Sequence, residues 1–298
     1  MKWYPFSCEL NITNHCNLNC YFCSMNSSRI DDFECYDSQN LEVIMEQLKR
    51  VKCLYISLSG GEPMTHPRFY EIARTLTENG FKVTMATNGI LINDKSIVKI
   101  KEAGIKWIQI SMHSISDEAC AKIMGAPVQK KLLNAIDIVS RTEGIGLTVC
   151  IVKNHYNRNE IESIKSYLDD RGITYIFRDE LFVGRLKEQS EINYEVLEER
   201  KIDIFQKYIL NRESKYSKIR KFAILVNGDI VPCTELSVKL GNVYQNDLEE
   251  VWEKNKVIGL CKGCGDVPCL ANYYHHNVEI REKVDAINYD SKQTYNNY

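Results

Sequence analysis

The chain has 298 residues, with 38 basic against 40 acidic side chains and a hydrophobic fraction of 44%. That length supports one large domain, or one domain with a smaller appendage, around a sizeable core. The near-balanced charge argues against a general phosphate-backbone binder, which needs clustered excess Lys and Arg to displace counterions. No apolar run is long enough for a membrane span, and the start lacks the basic-then-apolar pattern of a signal peptide, so a cytoplasmic protein with no nucleic-acid or membrane partner is expected.

Six short β-branched or apolar runs, at residues 8–13, 53–59, 81–87, 107–112, 147–152 and 173–181, predict strands. Between them, apolar residues recur at i, i+3, i+4 and i+7, as in Leu41, Ile44, Met45 and Leu48 or Phe69, Ile72, Ala73 and Leu76. That period predicts amphipathic helices. Gly80, Gly104 and Gly172 each stand directly before the next strand, where a chain leaving a helix needs a left-handed residue. Successive βα units with short links give parallel strands and right-handed crossovers, in a doubly wound open sheet or in a barrel.

Alternation within the strands decides between these two. In the fourth run Ile108, Ile110 and Met112 share one face, and Gln109, Ser111 and His113 the other. The fifth separates Leu147, Val149 and Ile151 from Thr148, Cys150 and Val152, and the sixth sets Thr174, Arg178 and Glu180 against Tyr175, Phe177 and Leu181. In the first, Glu9, Asn11 and Thr13 oppose Leu10 and Ile12. A sheet buried on both faces would read as continuous apolar runs. A repeatedly polar face fits a curved sheet with helices outside and a ligand-holding interior. Six units fall short of a closed eight-stranded barrel, so the expected α/β fold is a partial (β/α)6 TIM-type barrel.

Residues 188–221 read as charged and helical, with Leu197, Ile202, Phe205 and Ile209 among the apolar positions. Residues 222–226, the turn Asn227-Gly228-Asp229 and residues 230–233 then read as a hairpin whose turn suits positive φ. The expected division is a core of residues 1–221, a small C-terminal domain of 222–285 and a tail of 286–298 with little structure of its own.

The chain carries 12 cysteines. A reducing compartment keeps thiols unpaired and a chain this long needs no disulfide staples, so metal binding or catalysis is the expected use. Cys8, Cys35, Cys53, Cys120 and Cys150 are scattered, where a cysteine ordinarily serves as a small buried hydrophobe. The loop after the first strand holds Cys16-Asn17-Leu18-Asn19-Cys20-Tyr21-Phe22-Cys23. Three thiolates so spaced can hold three corners of a cubane cluster and leave one iron without a protein ligand. A zinc site completed by His15 or another residue is the alternative.

This loop resembles the Cys-x3-Cys-x-aromatic-Cys motif of radical S-adenosylmethionine (radical SAM) enzymes, with Phe22 at the aromatic position. The resemblance implies a [4Fe-4S] cluster whose open iron takes the amino and carboxylate groups of S-adenosyl-L-methionine. It also implies reductive cleavage of that cofactor to methionine and a 5′-deoxyadenosyl radical, and an electron donor such as flavodoxin or ferredoxin. It places Phe22 near the adenine, Gly60, Gly61, Glu62 and Pro63 around the methionine amino group, Asn88 in a recurring family turn, and Ser111 on the ribose. The residue types suit this: two glycines let backbone approach a ligand closely, and a carboxylate accepts from an ammonium. His113 is a candidate substrate contact, although a lone histidine is more often a hydrogen-bonded wall residue. These positions fall at or just past the C-terminal ends of predicted strands, where parallel α/β folds place their sites.

The second cysteine group joins Cys233 to Cys261, Cys264 and Cys269. Four thiolates from two segments can saturate one cluster or one zinc ion, and spacing does not choose. The order of Val231-Pro232-Cys233, Leu240-Gly241-Asn242-Val243, a short helix and the last cysteines resembles the SPASM and shorter twitch extensions of radical SAM enzymes. That resemblance implies a second, auxiliary [4Fe-4S] cluster, with His275 able to replace Cys269.

Extended members of the family modify ribosomally synthesised peptides, or dehydrogenate or epimerise sugars such as aminoglycosides. A peptide substrate is the first expectation and a small-molecule dehydrogenase or epimerase the second. A zinc-stabilised, non-catalytic binding module is the reading of another class. The short stretch before Cys16 leaves no room for the winged-helix domain of some peptide-modifying members. Cys150, on the polar face, is a candidate hydrogen donor for an epimerase, and Arg178, Glu180 and Arg185 are candidate substrate contacts, with surface ion pairing as their alternative.

Overall fold

The computed structural model describes residues 5–27, 38–181, 183–188, 221–236 and 238–254, with residues 271, 274, 280–282 and 284–286. Cys35, Cys261, Cys264, Cys269 and His275, the charged stretch expected to be helical and the tail lie outside the described residues. Six strands, β1 (Ser7–Thr13), β2 (Tyr55–Gly60), β3 (Lys82–Thr87), β4 (Trp107–Ser111), β5 (Gly146–Lys153) and β6 (Thr174–Asp179), alternate with helices. The helices are α1 (Ser38–Arg50), α2 (Phe69–Glu78), α3 (Asp94–Glu102), the pair α4 (Asp117–Met124) and α5 (Gln129–Ser140), and α6 (Ile161–Asp169). Gly80, Gly104 and Gly172 leave their helices with φ of 90°, 85° and 61°, as the punctuation predicts.

All six strands pair in parallel in chain order. On the free edge of β1, β7 (Lys221–Ile224) adds in parallel, followed by antiparallel β8 (Asp229–Val231) and β9 (Gly241–Asn242). The sheet order is β6-β5-β4-β3-β2-β1-β7-β8-β9 and the sheet is not closed. The C-terminal hairpin therefore continues the sheet of the core, with Ser7 opposite Lys221 and Leu10 opposite Ile224. A short helix, α7 (Leu248–Lys254), returns over α1, where Leu248 N–H donates to Gln47 Oε1 at 3.0 Å.

Register explains the two faces, because residues opposite each other in parallel strands point the same way. The row Leu10, Leu58, Met85 and Ile108 crosses four strands, and none of these residues is more than 1% exposed. The buried stripes of α1 (Leu41, Ile44, Leu48) and α2 (Phe69, Ile72, Leu76) seal this face, each such side chain contributing roughly 1.5–3 kcal/mol. The opposite row runs Glu9, Ser57, Thr84 and, one step on, Ala86, Gln109 and Thr148. It stays half-exposed. Glu9 on β1 is within electrostatic reach of Arg178 on β6, although four strands separate them in the sheet order. The sheet thus curls inward around its polar face, as a part-barrel. No described helix is long and apolar enough to cross a membrane.

Candidate active site

The cysteine loop leaves the C-terminal end of β1 and is anchored from several sides. Asn19 N–H and Tyr21 N–H donate to the Met124 and Ile123 carbonyls at the end of α4, at 3.2 and 3.1 Å. From the turn Gly184–Glu188 after β6, Arg185 N–H reaches Cys23 O at 3.0 Å. Its guanidinium donates to Asn26 Oδ1 at 3.1 Å, to Ser27 O at 2.6 Å and to Cys20 O. Arg185, expected to contact substrate, spends these donors on the loop. Glu180 accepts from the Tyr21 hydroxyl, whose ring lies in a cluster with His155 and Tyr156.

Cys16, Cys20 and Cys23 are half-buried free thiols. Cys16 Sγ faces two donors, Leu18 N–H at 3.5 Å and Asn88 Nδ2 at 3.8 Å. Burial pushes the Cys16 thiol up to about 11 and raises Cys20 further, with the neighbouring Cys23 and Cys16 adding to the effect. Cys16 and Cys20 are therefore protonated in the metal-free loop at neutral pH, and loading them releases protons. Among the described residues no three His, Cys, Asp or Glu groups form a single-ion site. A cubane asks for its thiolates on three separate irons.

The Gly60-Gly61-Glu62-Pro63 segment packs against the cysteine loop. A Cβ on Gly60 would lie 2.2 Å from Thr13 O and one on Gly61 2.1 Å from His15 O. The two glycines thus admit the backbone of the cysteine loop, and Gly61 and Glu62 N–H donate to Thr13 O and His15 O, both at 2.8 Å. The Glu62 carboxylate is fully buried and accepts from Asn88 N–H at 2.7 Å, Thr87 Oγ1 at 2.8 Å and Met64 N–H at 3.1 Å. Burial raises it to about 7, against those hydrogen bonds. The carboxylate ties the rim loops of β2 and β3 together and has no exposed oxygen for an ammonium. Pro63, also buried, opens the short turn that follows.

Asn88 bridges to the cysteine loop: its Nδ2 donates to Asn17 Oδ1 at 2.7 Å and lies near Cys16. Phe22 meets His113 edge to face at 4.9 Å. His113 is a neutral wall residue. Its Nδ1 accepts from Val152 N–H at 3.1 Å, Asn157 holds its carbonyl at 2.7 Å, and burial lowers its pKa to about 4. Ser111 lies on the half-exposed inner face beside Cys150 in register.

Deeper along that face, Cys150 is 5% exposed and receives a hydrogen bond from Arg178. Burial raises its pKa against the pull of Arg178, so the thiol keeps its hydrogen at neutral pH. Glu9, on β1, accepts from Ser59 and feels Glu235, Lys221 and Arg178. Glu235 stands two residues beyond Cys233, whose sulfur accepts from Leu236 N–H at 3.3 Å. Tyr21 and Glu235 gave no signal in the sequence. Glu9 and Asn11 did, through the parity of β1.

A parallel part-barrel with a three-thiol loop at its rim and a polar interior defines a cluster-dependent enzyme fold. The chain belongs to the radical SAM superfamily: that family's model matches residues 10–168, and the iron-sulfur cluster-binding SPASM domain matches residues 216–265. Family membership implies an enzyme with a [4Fe-4S] cluster and S-adenosylmethionine, and iron–sulfur binding by the C-terminal segment. The zinc-stabilised binding module gives way to it. The residues fit such groups: the three thiols share one loop, Cys16 and Cys233 each face a backbone N–H, and the inner face beneath carries a buried acceptor, Asn11 Oδ1, with no donor.

The chain is 26% identical to the protein named "Probable GTP 3',8-cyclase" of Saccharolobus islandicus over 227 residues, 75% of this chain and 72% of that one. It is 25% identical to the AdoMet-dependent heme synthase of Methanosarcina barkeri over 288 residues, 83% of this chain and 81% of that one. Its fold is similar to that of Streptococcus suis SuiB bound to S-adenosylmethionine, with a TM-score of 0.66 and 19% identity, covering 93% of this chain and 76% of that chain.

Proposed function

We propose that this radical SAM enzyme abstracts hydrogen from a ribosomally synthesised peptide during its maturation. The carrying observation is the inner face: an unclosed trough in which Arg178 and Lys221 are met by Glu9 and Glu235. A nucleoside triphosphate would call for clustered unmatched cations. A balanced, open trough suits an extended chain of mixed charge. SuiB, the structural neighbour, has also been solved bound to its precursor peptide SuiA, in a fold covering 92% of this chain at a TM-score of 0.65.

Cys16, Cys20 and Cys23 would hold the cluster, with Arg185 and Glu62 fixing the loop from either side. Phe22, Asn88, Ser111 and the Gly60–Gly61 backbone would line the cofactor, and Cys233, Cys261, Cys264 and Cys269 the auxiliary cluster. When bound, the cluster and cofactor supply a hydrogen-abstracting radical. Cys150 favours epimerisation among the outcomes, because a protonated thiol on the inner face can return a hydrogen atom to a carbon radical. The same donor would serve a small-molecule epimerase.

The test is anaerobic turnover of the reconstituted enzyme with candidate precursor peptides in D2O, read by mass spectrometry. Loss of two hydrogens marks cross-linking or dehydrogenation. One deuterium gained, and lost again in Cys150→Ala, marks epimerisation. Consumption of aminoglycoside-type sugars with every peptide untouched would overturn the peptide assignment.

A further inference from the structure

The end of the sheet away from the cysteine loop carries aromatic rings that the core does not use. Trp107 opens β4 on the inner face, with the parity of Gln109, and pairs with Thr84 on β3 and Gly146 on β5. A Cβ on Gly146 would stand 2.1, 2.4 and 2.7 Å from Cε3, Cζ3 and Cδ2 of the indole, three adjoining atoms, and so over the face of the ring. Glycine there lets the indole lie flat on the strand. Its Nε1–H is taken by Thr148 Oγ1 at 3.0 Å. One face and the N–H are thus held by β5, while the residue stays 46% exposed. At the same end, Tyr55 on β2 packs on Phe6 with ring centroids 4.6 Å apart, and Phe6 is 51% exposed. Between them β3 starts at exposed Lys82, in register with Tyr55, its Nζ 5.3 Å from the Tyr55 ring centroid. Exposed apolar surface gathered in this way marks a place where a ligand or partner rests.

We infer that this end of the trough is a substrate subsite, in which Trp107 takes an aromatic side chain of the peptide and Lys82 a carboxylate two residues from it. An indole whose N–H is already bonded offers a π face and no donor, which suits another ring. A cationic side chain also favours such a face, but Lys82 opposes it. Lys82 and Trp107 stand on adjacent strands two residues out of step, about 8 Å apart. Side chains on one side of an extended peptide recur about every 7 Å, so the acidic and aromatic residues fall at i and i+2. Trp107 and Ser111 are the two ends of β4, about 13 Å apart. The aromatic anchor therefore sets the residue presented for hydrogen abstraction about four positions away. The choice of a peptide, but not of an aromatic group beside an anion, rests on the assignment above.

Binding to the reconstituted full chain, followed by ligand-observed NMR or calorimetry, tests this without turnover. The probes are acetyl-Glu-Gly-Phe-amide, its analogues with alanine for phenylalanine and lysine for glutamate, and an aminoglycoside. Wild type should prefer the phenylalanine peptide to the alanine one by about fivefold, the worth of one aromatic contact. It should prefer glutamate to lysine by about threefold, as an exposed ion pair allows. Trp107→Ala should remove the first preference, and so should Gly146→Ala, which keeps the indole but lifts it from its seat. Trp107→Phe should keep most of it, and Lys82→Gln should remove only the second preference. Equal binding of the phenylalanine and alanine peptides by wild type, a preference for the lysine peptide, or a phenylalanine preference that survives both alanine substitutions would overturn the inference and leave the peptide assignment standing. Selective binding of these peptides by an enzyme that modifies none would uphold the subsite and remove the peptide assignment alone. Aminoglycoside binding that depends on Trp107, with every peptide unbound, would overturn both.

Discussion

The two faces of the sheet are made from alternate residues of the same strands, yet different physics governs them. Ile108 and Gln109 are neighbours on β4: the first is fully buried under helices, the second half-exposed in the trough. On the outer face, shape and apolar area decide the residue. On the inner face packing makes no such demand, and polar residues such as Glu9, Asn11 and Arg178 line it. The fold's stability and its chemistry are thereby separated by a single step along the chain.

Ile108→Ala should destabilise the protein by roughly 2–5 kcal/mol through lost burial and a residual cavity. Gln109→Ala should stay within about 0.5 kcal/mol. Urea unfolding of the pair measures both, and equal losses would break the contrast between faces. Glu62→Ala marks where the contrast ends, at the rim. It strips partners from the Asn88 and Met64 N–H groups and the Thr87 hydroxyl, which should cost about 3 kcal/mol. Arg185→Ala should cost about 1–2 kcal/mol and loosen the cysteine loop, seen as faster iron loss to a chelator with the β-sheet circular dichroism signal intact.

The smallest effect is a pH dependence in which two buried rim groups oppose each other. His113 is lowered to about 4 by burial, so its contribution is present above its ordinary 6.5 and is lost as pH falls toward 4. Glu62 is raised by burial from 4.5 to about 7, so its contribution is full at the lower value and is lost as pH rises through 7. Relative to wild type, Glu62→Gln should lose melting temperature more steeply between pH 6.5 and 4, and His113→Asn should gain it on acidification from 7 to 4.5. Parallel curves for all three proteins would show that neither group is linked to folding.

Much of this was legible in the sequence because it is local. Period-two alternation gave the faces, glycines marked the helix ends, and Cys16, Cys20 and Cys23 share one short loop. What was not legible depends on which loops meet across the rim. Arg185 and Cys20 are 165 residues apart, and Tyr21 and Glu180 are 159 apart, so their pairing leaves no local pattern. Two glycines signal a close approach, and the backbone of Thr13 and His15 that approaches Gly60 and Gly61 is revealed only by the fold. The unpaired oxygen of Asn11 is likewise a property of its surroundings. The addition of β7 to the free edge of β1 also escapes a reading that treats the hairpin on its own.

The central claim is that the loop of Cys16, Cys20 and Cys23 is the catalytic centre of this radical SAM enzyme. Its most direct test is 5′-deoxyadenosine formation from S-adenosylmethionine and a strong reductant, in wild type and in the triple variant Cys16→Ala/Cys20→Ala/Cys23→Ala, each reconstituted anaerobically. Wild type should form the product with about 8 iron per chain, and the triple variant should form none while keeping about 4 on its C-terminal cysteines. Product formation by the triple variant, or none from wild type with its clusters intact, would contradict the account.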